Sequence, residues 1–283
     1  MASISGDFST GLKFHLKLEE TSGNRTDEVS SATFTDYNSV GYNASGIQDN
    51  CGAFVSANSE YLKNTSLTFS RDTDVSVSAW VYFDSFGSSG QSRGIFSLQL
   101  GDGTYYRQLT MRTYNNGGTV DMRYYYTAGA GKEAYYNNYN VGTGVGTGAW
   151  AHVVVTVDYG STVKYYVNGS EVPSSSFDIS TFTYYTNSNY SLLVGAESSS
   201  TGSPYAGRYM DGRIDEVSVW EGVVLSSTDV STIYNSGDGI EFDAPAPSTS
   251  ISKVSGIAQA SVAKMDSVAL ASIEKIDGIS NTS

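Results

Sequence analysis

The chain has few of the residues that cross-link a protein or give it positive charge. Cys51 is the single cysteine among 283 residues, so no disulfide can form within the chain. Lysine and arginine number 16 against 29 acidic residues, which gives a net charge of -13. Binding to the nucleic-acid backbone draws on clustered basic residues, so we expect no nucleic-acid partner. No stretch approaches the roughly 20 apolar residues of a membrane span, and we expect no membrane insertion.

The segments at Cys51 and at the N-terminus add two further expectations. A lone cysteine in a chain of this kind is more often a buried, inert thiol than a reactive one, and we interpret Cys51 that way. The opening residues, MASISGDFST, contain neither a basic segment nor an apolar one. We therefore expect no secretory signal peptide.

The residues that are abundant favour β-structure. The chain contains 22 tyrosines and 30 glycines but only 4 prolines. Aromatic residues favour strands and glycine favours turns, and few stretches follow a helical period. A single all-β domain commonly reaches roughly 200 to 250 residues, so the composition predicts one β-sandwich with an appendage.

The strongest local signal is a hairpin over residues 150–172, WAHVVVTVDYGSTVKYYVNGSEV. Apolar residues alternate along Trp150 to Asp158, a polar turn follows, and Val163 to Val167 alternates again. Asn168-Gly169 predicts a second tight reversal, because both residue types tolerate positive φ. An isolated hairpin is marginal in water, so its apolar side needs a second layer.

Alternation and turn signals predict further elements along the chain. Ser226 or Ser227 caps a short helix that runs to Tyr234 and Asn235. Residues 128–148 and 195–207 are expected to be loops, and His15 is expected to face solvent on the polar side of the first strand. The predicted strands are Leu12–Leu18, Asp74–Phe83, Gly94–Leu100, Leu109–Thr113, Val120–Thr127, Phe177–Phe182, Tyr190–Val194 and Gly212–Trp220.

Three of these segments resemble LamG-like, concanavalin A-like jelly-roll domains. The hairpin carries W-x-H-V-V-V-T-x-D followed by K-Y-Y-V-N-G, and Val77 to Val81 carry the hydrophobic-S-x-W pattern. Gly212 to Trp220, GRIDEVSVW, is followed by the L-S-x-x-D segment from Leu225. The resemblance implies a two-sheet antiparallel jelly-roll sandwich over residues 1–242, and the alternating short strands independently favour a sandwich.

A different kind of sequence follows the predicted domain. Residues 243–250, DAPAPSTS, form a Pro/Ser linker, and residues 251–283 repeat every 11 residues from Ser252, Ala263 and Glu274. The period fits either a hendecad coiled coil or short strands joined by turns such as Asp277-Gly278. We favour strands slightly, because Gly, Ser and Val weaken a helix. The tail is too small to bury an apolar face alone, so we predict anchoring or oligomerisation through Val254, Ile257, Val262, Met265, Val268, Ile273, Ile276 and Ile279.

The sequence offers no recognisable catalytic group. Glucanases that share this sandwich carry E-x-D-x-x-E on a strand, and RIDEVS at 213–218 lacks both glutamates. Alternation along a strand would place Asp215 and Glu216 on opposite sides, so we expect Asp215 to bind loop backbone donors instead. His15 and His152 are the only histidines and lie in no metal-ligand spacing. We predict no enzyme activity and no metal or other cofactor.

Two binding functions remain open. Relatives of the jelly roll often bind calcium through rim loops, so calcium stays an alternative, with oxygens from Asp72, Asp74, Asp102 or Asp211. Tyrosine offers an apolar ring with a polar tip, which suits both sugar stacking and subunit packing. The predicted carbohydrate-binding residues lie in a tyrosine-rich segment and are Tyr105, Tyr106, Tyr124, Tyr126, Tyr135 and Tyr136.

Together these observations predict a non-enzymatic phage virion protein. The tail resembles the repeats that end many phage structural proteins, which implies capsid decoration, a head fibre or a tail fibre. The predicted partners are other virion proteins through the tail, further copies of the chain, and host-surface glycans. The expected location is the virion, assembled in the host cytoplasm. The alternatives are a bacterial, extracellular carbohydrate-binding adhesin and, less favoured, a divergent glycoside hydrolase.

Overall fold

The computed structural model describes most of the chain. The described residues are 8–70, 73–101, 106–117, 119–127, 133–136, 144–173, 177–178, 190–199, 201–240, 275–276 and 279–280. The chain divides into two compact units, Met1–Ala244 and Pro245–Ser283. Among the described residues, no helix is long and apolar enough to span a membrane.

The first unit contains two large antiparallel sheets. Sheet 1 has the strand order β14-β13-β12-β7-β19-β5-β4, with β1 paired to β19 and β15 paired to β13. Its strands are β1 (Leu12–Leu16), β4 (Gly41–Asn43), β5 (Cys51–Phe54), β7 (Val75–Phe83), β12 (Trp150–Asp158), β13 (Thr162–Val167), β14 (Ser170–Glu171), β15 (Phe177–Asp178) and β19 (Gly212–Glu221).

Sheet 2 has the strand order β11-β10-β9-β8-β16-β6-β3-β2. A separate two-stranded ribbon, β17–β18, comes between the last strands of the two sheets along the chain. The strands of sheet 2 and of the ribbon are β2 (Arg25–Thr26), β3 (Thr33–Tyr37), β6 (Tyr61–Asn64), β8 (Ser92–Gly101), β9 (Tyr106–Asn116), β10 (Thr119–Thr127), β11 (Glu133–Tyr136), β16 (Tyr190–Val194), β17 (Ala196–Ser198) and β18 (Pro204–Tyr209).

The main core lies between the two sheets. Alternate residues of β7 and β12, such as Val77 and Val153, pack in one buried cluster with Phe96 and Leu192 of sheet 2. Phe14 lies in the same cluster, with its ring centroid 6.3 Å from that of Phe96. The predicted two-sheet antiparallel jelly-roll sandwich is therefore confirmed.

The outer face of sheet 1 carries a second apolar cluster, beneath the helix α1 (Ser227–Tyr234). Trp220 is fully buried in this cluster, and its Nε1 donates to the carbonyl of Phe8 at 2.8 Å. Ser226 caps α1 as predicted, because its hydroxyl accepts from the backbone N–H of Asp229 and the Asp229 carboxylate accepts from the Ser226 N–H. The helix therefore seals part of this face from water.

The predicted hairpin and most predicted strands are confirmed. Val153 pairs with Val167 and Asp158 pairs with Thr162 across the turn. Asn168 and Gly169 adopt positive φ, of 49° and 77°, at the second reversal. Cys51 is fully buried, and burial raises the pKa of its thiol to about 12, which agrees with an inert cysteine.

Two predicted loops contain strands and need correction. The predicted loop at 195–207 contains β17 and most of β18, which the sequence does not reveal because these short strands are fixed by contacts with sheet 2. The Ser97 hydroxyl, for instance, accepts from the Ser198 N–H at 3.0 Å. The predicted loop at 128–148 contains β11, which pairs with β10. The predicted strand Phe177–Phe182 is described only as β15, and its remainder lies outside the described residues.

The prediction that His15 faces solvent is wrong. His15 is fully buried, and its Nδ1 lies 2.8 Å from the Ser218 hydroxyl of β19. Its Nε2 lies 3.2 Å from the Glu216 carboxylate. Strand β1 is covered on both sides at His15, so this polar residue has polar partners on β19 instead of water.

The second unit is described at four residues. Strand β20 (Lys275–Ile276) pairs with β21 (Ile279–Ser280), so that Ile276 stands opposite Ile279. This pairing agrees with the strand interpretation of the repeat. The other predicted anchoring residues, Val254, Ile257, Val262, Met265, Val268 and Ile273, lie outside the described residues.

Candidate functional site

A stack of three tyrosines lies on the outer side of sheet 2. Tyr37 of β3 and Tyr61 of β6 are directly opposite in the strand register. Their ring centroids are 4.6 Å apart with an interplanar angle of 6°, and the Tyr209 ring of β18 lies 6.1 Å from Tyr61. We call Tyr37, Tyr61 and Tyr209 the tyrosine stack.

Exposure to solvent increases along the stack from Tyr209 to Tyr37. Tyr209 is 9% exposed and packs with Leu193 and Ala196, whereas Tyr37 is 39% exposed. Burial raises the pKa of Tyr61, and the neighbouring phenols of Tyr37 and Tyr209 raise it further. The three rings thus form a neutral platform that is anchored at one end and open to solvent at the other.

An ion triad beside Tyr209 holds the β17–β18 ribbon on sheet 2. The Glu197 carboxylate lies 2.6 Å from Nη1 of Arg112 on β9 and 2.6 Å from Nη1 of Arg208 on β18. The Arg208 guanidinium also lies over the ring of the exposed Tyr205, 4.4 Å from its centroid. Because Glu197 is 5% exposed and bound by two arginines, its role is to fix the ribbon.

The predicted tyrosines that lie within the described residues belong to sheet 2, and only their backbone is described. The register places Tyr124 opposite Tyr136, and Tyr126 opposite Ala134. Tyr106 begins β9, and Tyr135 stands opposite Tyr125. Tyr105 lies outside the described residues. The assignment of these residues to carbohydrate binding stays a prediction.

The tyrosine stack is not among the binding residues predicted from the sequence. Its members are far apart along the chain and lie outside the tyrosine-rich middle segment. The alternation of Thr33, Thr35 and Tyr37 on β3 is the local signal of an outward face, but only the pairing of β3 with β6 shows that Tyr37 meets Tyr61.

The acidic pair in GRIDEVSVW occupies a β-bulge of β19. The register of β19 against β7 shifts between Asp215 and Ser218, and Glu216 has a φ of +50°. At this point β19 changes its second neighbour from β5 to β1. The bulge interrupts the strict alternation of the strand.

The predicted structural role of Asp215 is confirmed. Its Oδ2 accepts from the Ile47 N–H at 2.7 Å and from the Gln48 N–H at 3.4 Å. Burial raises the pKa of Asp215 to about 8, and the Glu216 charge also raises it. Asp215 is fully buried and Glu216 is 3% exposed, and the two carboxylates contact different partners, so this pair does not line an open cleft.

His152 is also part of the packing. Its Nε2 lies 2.8 Å from the Ser78 hydroxyl, and its ring lies 5.0 Å from that of Trp80 and 6.1 Å from that of Tyr234 in α1. Full burial lowers the pKa of His152 to about 3. The W-x-H segment of the hairpin therefore builds the interface between sheet 1 and α1.

The candidate calcium ligands do not come together in the described part of the chain. Asp74 accepts from the Tyr159 N–H, whereas Asp211 accepts from the Ser56 N–H and lies 3.9 Å from Arg93. Asp72 and Asp102 lie outside the described residues. No three His, Cys, Asp or Glu side chains within the described ranges form a metal-binding group.

These features define a class of protein: an antiparallel two-sheet jelly roll with aromatic groups on its outer faces. The family described as the Concanavalin A-like lectin/glucanases superfamily matches residues 56–231, which is more than half of the chain. The chain therefore belongs to the concanavalin A-like lectin/glucanases superfamily. No curated protein sequence matches it.

Solved structures with the same fold include domains from an enzyme and from toxins. Domain 4 of the extracellular arabinanase AbnA from Geobacillus stearothermophilus, in complex with arabinotriose, is 18% identical with a TM-score of 0.56, over 79% of this chain and 98% of that one. The binding domain of Paraclostridial Mosquitocidal Protein 1 is 16% identical with a TM-score of 0.57, over 80% and 52%. The binding domain of Botulinum Neurotoxin DC, in complex with SialylT, is 12% identical with a TM-score of 0.57, over 80% and 51%. At these identities the likeness shows the fold.

Proposed function

We propose that this chain is a non-enzymatic phage virion protein whose jelly roll binds carbohydrate and whose C-terminal repeat anchors it to the particle. The observation that carries the carbohydrate part is the tyrosine stack. Its outermost ring, Tyr37, is exposed, whereas its innermost ring, Tyr209, is held in an apolar cluster.

The geometry of the stack suits the flat face of a sugar ring. Tyrosine supplies a large apolar surface and a hydroxyl at its edge, with only two side-chain torsions to immobilise. Mutual stacking already restrains Tyr37 and Tyr61, so little conformational entropy remains to be lost when a ligand binds. Arabinotriose and SialylT, which are bound to two domains of the same fold, make carbohydrate a reasonable ligand class to propose.

The absence of enzyme activity in this proposal rests on three buried carboxylates. Asp215 is committed to backbone N–H groups, and Glu197 is committed to Arg112 and Arg208. Glu216 is buried against His15. A glycosidase needs two carboxyl groups that flank the scissile bond, and none of these three is open to a substrate.

We expect Tyr37→Ala to weaken glycan binding by about tenfold, since a stacking aromatic pair contributes about 0.5–1.5 kcal/mol beyond its buried area. The strongest ligand on a glycan array would be titrated by calorimetry against the parent protein and the variant. The matched control is Tyr42→Ala, because Tyr42 is 48% exposed and has no ring contact among the described residues. Equal loss in both variants, or no binding by the parent protein, would contradict the role of the stack. Release of sugar products during the titration would contradict the non-enzymatic part.

The virion part of the proposal rests on the organisation of the chain. The second compact unit, Pro245–Ser283, contains most of the Pro/Ser linker and then the repeat, with its recurring Val254, Met265 and Ile276. So short a unit has little apolar surface to bury within itself. Packing against a virion protein, or against further copies of the chain, would cover that surface.

We expect a chain that ends at Asp243 to fold and bind glycan normally but to be lost from phage particles. Particles would be assembled in cells that supply either the full chain or the shortened one, and then purified on a density gradient and probed for the protein. Equal incorporation of both chains would show that the repeat does not anchor it. Glycan binding without any particle association of the full chain would favour the adhesin alternative.

A further inference from the structure

A row of residues crosses the outer face of sheet 1 at one register level. Trp150 of β12 pairs with Tyr82 of β7, and Tyr82 pairs with Arg213 of β19. Arg213 pairs with Ala53 of β5, and Ala53 pairs with Gly41 of β4. Five adjacent strands thus contribute one residue each. We call Trp150, Tyr82, Arg213, Ala53 and Gly41 the sheet 1 row.

The row coincides with the level at which the sheet opens to solvent. Tyr82 is the one residue of β7 that is not buried, and Ala53 is the one such residue of β5. Trp150 and Arg213 lie near the starts of β12 and β19, whose interiors are buried. One level further along, Trp80 and His152 are covered by Tyr234 of α1. The row therefore lies at the boundary between the part of the outer face that is open to solvent and the part that α1 covers.

The aromatic members of the row are fixed in place. The Trp150 Nε1 donates to the carbonyl of Ser45 at 3.3 Å, which ties the indole to the loop after β4. The Tyr82 ring packs edge-on against Trp150, with centroids 5.7 Å apart and an interplanar angle of 66°. Two aromatic groups inclined at this angle form a corner, and a sugar ring can lie against one of the two rings.

The Arg213 guanidinium completes the corner with a positive charge. Its Cζ lies 4.2 Å from the centroid of the Tyr82 ring, in a cation–π arrangement. Among the described residues Arg213 forms no ion pair, whereas Arg93, Arg112 and Arg208 each lie within ion-pair distance of a carboxylate. The chain has a net charge of -13, yet the Arg213 guanidinium, which stacks on the Tyr82 ring, has no carboxylate partner among the described residues. This arrangement favours an anionic ligand.

We propose that the sheet 1 row is a second binding site, and that its ligand is a saccharide with a carboxylate group. The carboxylate accepts a bidentate pair of hydrogen bonds from Arg213, and the sugar ring that carries it lies against Trp150. Ala53 and Gly41 present little side chain, so the saccharide can extend across β5 and β4. Two strand spacings, about 10 Å, separate β12 from β19, which suits a disaccharide.

This site is separate from the one that carries the proposed function. The tyrosine stack lies on the outer face of sheet 2, whereas the row lies on the outer face of sheet 1. The two sites are therefore tested independently, and each is tested with its own variants. If the stack binds no carbohydrate, the proposal for the row is still tested by whether the protein binds acidic saccharides more tightly than neutral ones.

The test compares acidic oligosaccharides with neutral counterparts. The full chain would be titrated with 3′-sialyllactose and with oligogalacturonate, and in parallel with lactose and with neutral galactan. We expect tighter binding of at least one acidic probe than of its counterpart, with an affinity that falls as salt concentration rises. Arg213→Gln should weaken binding of that probe by roughly tenfold or more, and Arg213→Lys should weaken it by less, because lysine keeps the charge but loses the planar fork.

Two control variants separate this site from others. Lys13→Gln and Lys164→Gln each remove a cation of sheet 1 that is already paired with a carboxylate, so both should leave acidic-ligand binding unchanged. Thermal unfolding of Arg213→Gln would show that the fold is intact. Equal binding of acidic and neutral probes, or full acidic-probe binding by Arg213→Gln, would overturn the proposal.

Discussion

Replacing Gly212 with alanine should destabilise the jelly roll by about 3 kcal/mol or more. Gly212 has a φ of +145°, and a Cβ added there would lie 2.0 Å from the carbonyl oxygen of Tyr82. It would also lie 3.0 Å from the Cα of Phe83 and from the backbone nitrogen of Asp84. These atoms belong to the backbone of β7 and its end, so no side-chain rotation can relieve the contact. Overpacking costs about 1–3 kcal/mol, and the unfavourable φ adds about 1–2 kcal/mol.

The matched control for this substitution is Gly207→Ala. Gly207 also has a positive φ, of +77°, but a Cβ there would meet nothing within 4 Å. We expect a loss of about 1–2 kcal/mol, from the backbone conformation alone. Urea denaturation followed by circular dichroism would compare the two variants. Similar losses in both would mean that β7 and β19 can separate enough to admit a side chain at Gly212.

The jelly roll should lose roughly 1–1.5 kcal/mol of stability as the pH rises from 6.5 to 8. The pKa of Asp215 is about 8 in the folded protein, against a usual value of 3.8. Between these values the folded state binds more protons than the unfolded state, so stability falls as the pH rises. Each pH unit is worth about 1.4 kcal/mol when one group is responsible.

The titration of His152 offsets this loss of stability below about pH 6.5. Its pKa falls from 6.5 to about 3 on folding, so the unfolded state binds the extra proton in that window and stability rises with pH. From about pH 4 to 6.5 the slopes of His152 and Asp215 oppose each other. We expect a plateau over this range, followed by a decline up to about pH 8.

Asp215→Asn tests the assignment because it removes the titrating group and keeps one oxygen that can accept from the Ile47 N–H. Free energies of unfolding would be measured by urea denaturation between pH 4 and 8.5. The variant should show no decline above pH 6.5, whatever its absolute stability. A decline of the same size in the variant would mean that another group titrates there.

The parts of the fold that the sequence predicts are those with local signals. The hairpin at Trp150 to Val167 combines alternation with a turn, and Tyr190–Val194 is an apolar run with clear ends. Helix α1 carries its own cap at Ser226. Each of these signals lies within a stretch of about twenty residues or fewer, so no knowledge of distant partners is needed.

The parts that the sequence does not predict depend on distant pairs. The environment of His15 is set by Ser218, 203 positions further along the chain. Strands β17 and β18 are fixed on sheet 2 by contacts such as that of Ser198 with Ser97. Alternation gives the two faces of a strand, but it does not show which faces a second layer covers.

The two aromatic surfaces illustrate the same limit for function. A count of tyrosines directs attention to the middle of the chain, whereas the tyrosine stack joins β3, β6 and β18. The sheet 1 row likewise joins one residue from each of five strands. The sequence around Trp150 does not show that Tyr82 and Arg213 are its neighbours in the sheet. Sites of this kind become visible only when the strand register is known.

The cluster beneath α1 also determines how the jelly roll can be joined to other proteins. Phe8, at the start of the described chain, and Ile240, the last described residue before the linker, both pack in this cluster on the outer face of sheet 1. The chain thus enters and leaves this domain on the same side of the sandwich, as in modules that can be inserted into a surface loop of another protein. Both attachment points therefore lie on the outer face of sheet 1, on the opposite side of the sandwich from the tyrosine stack.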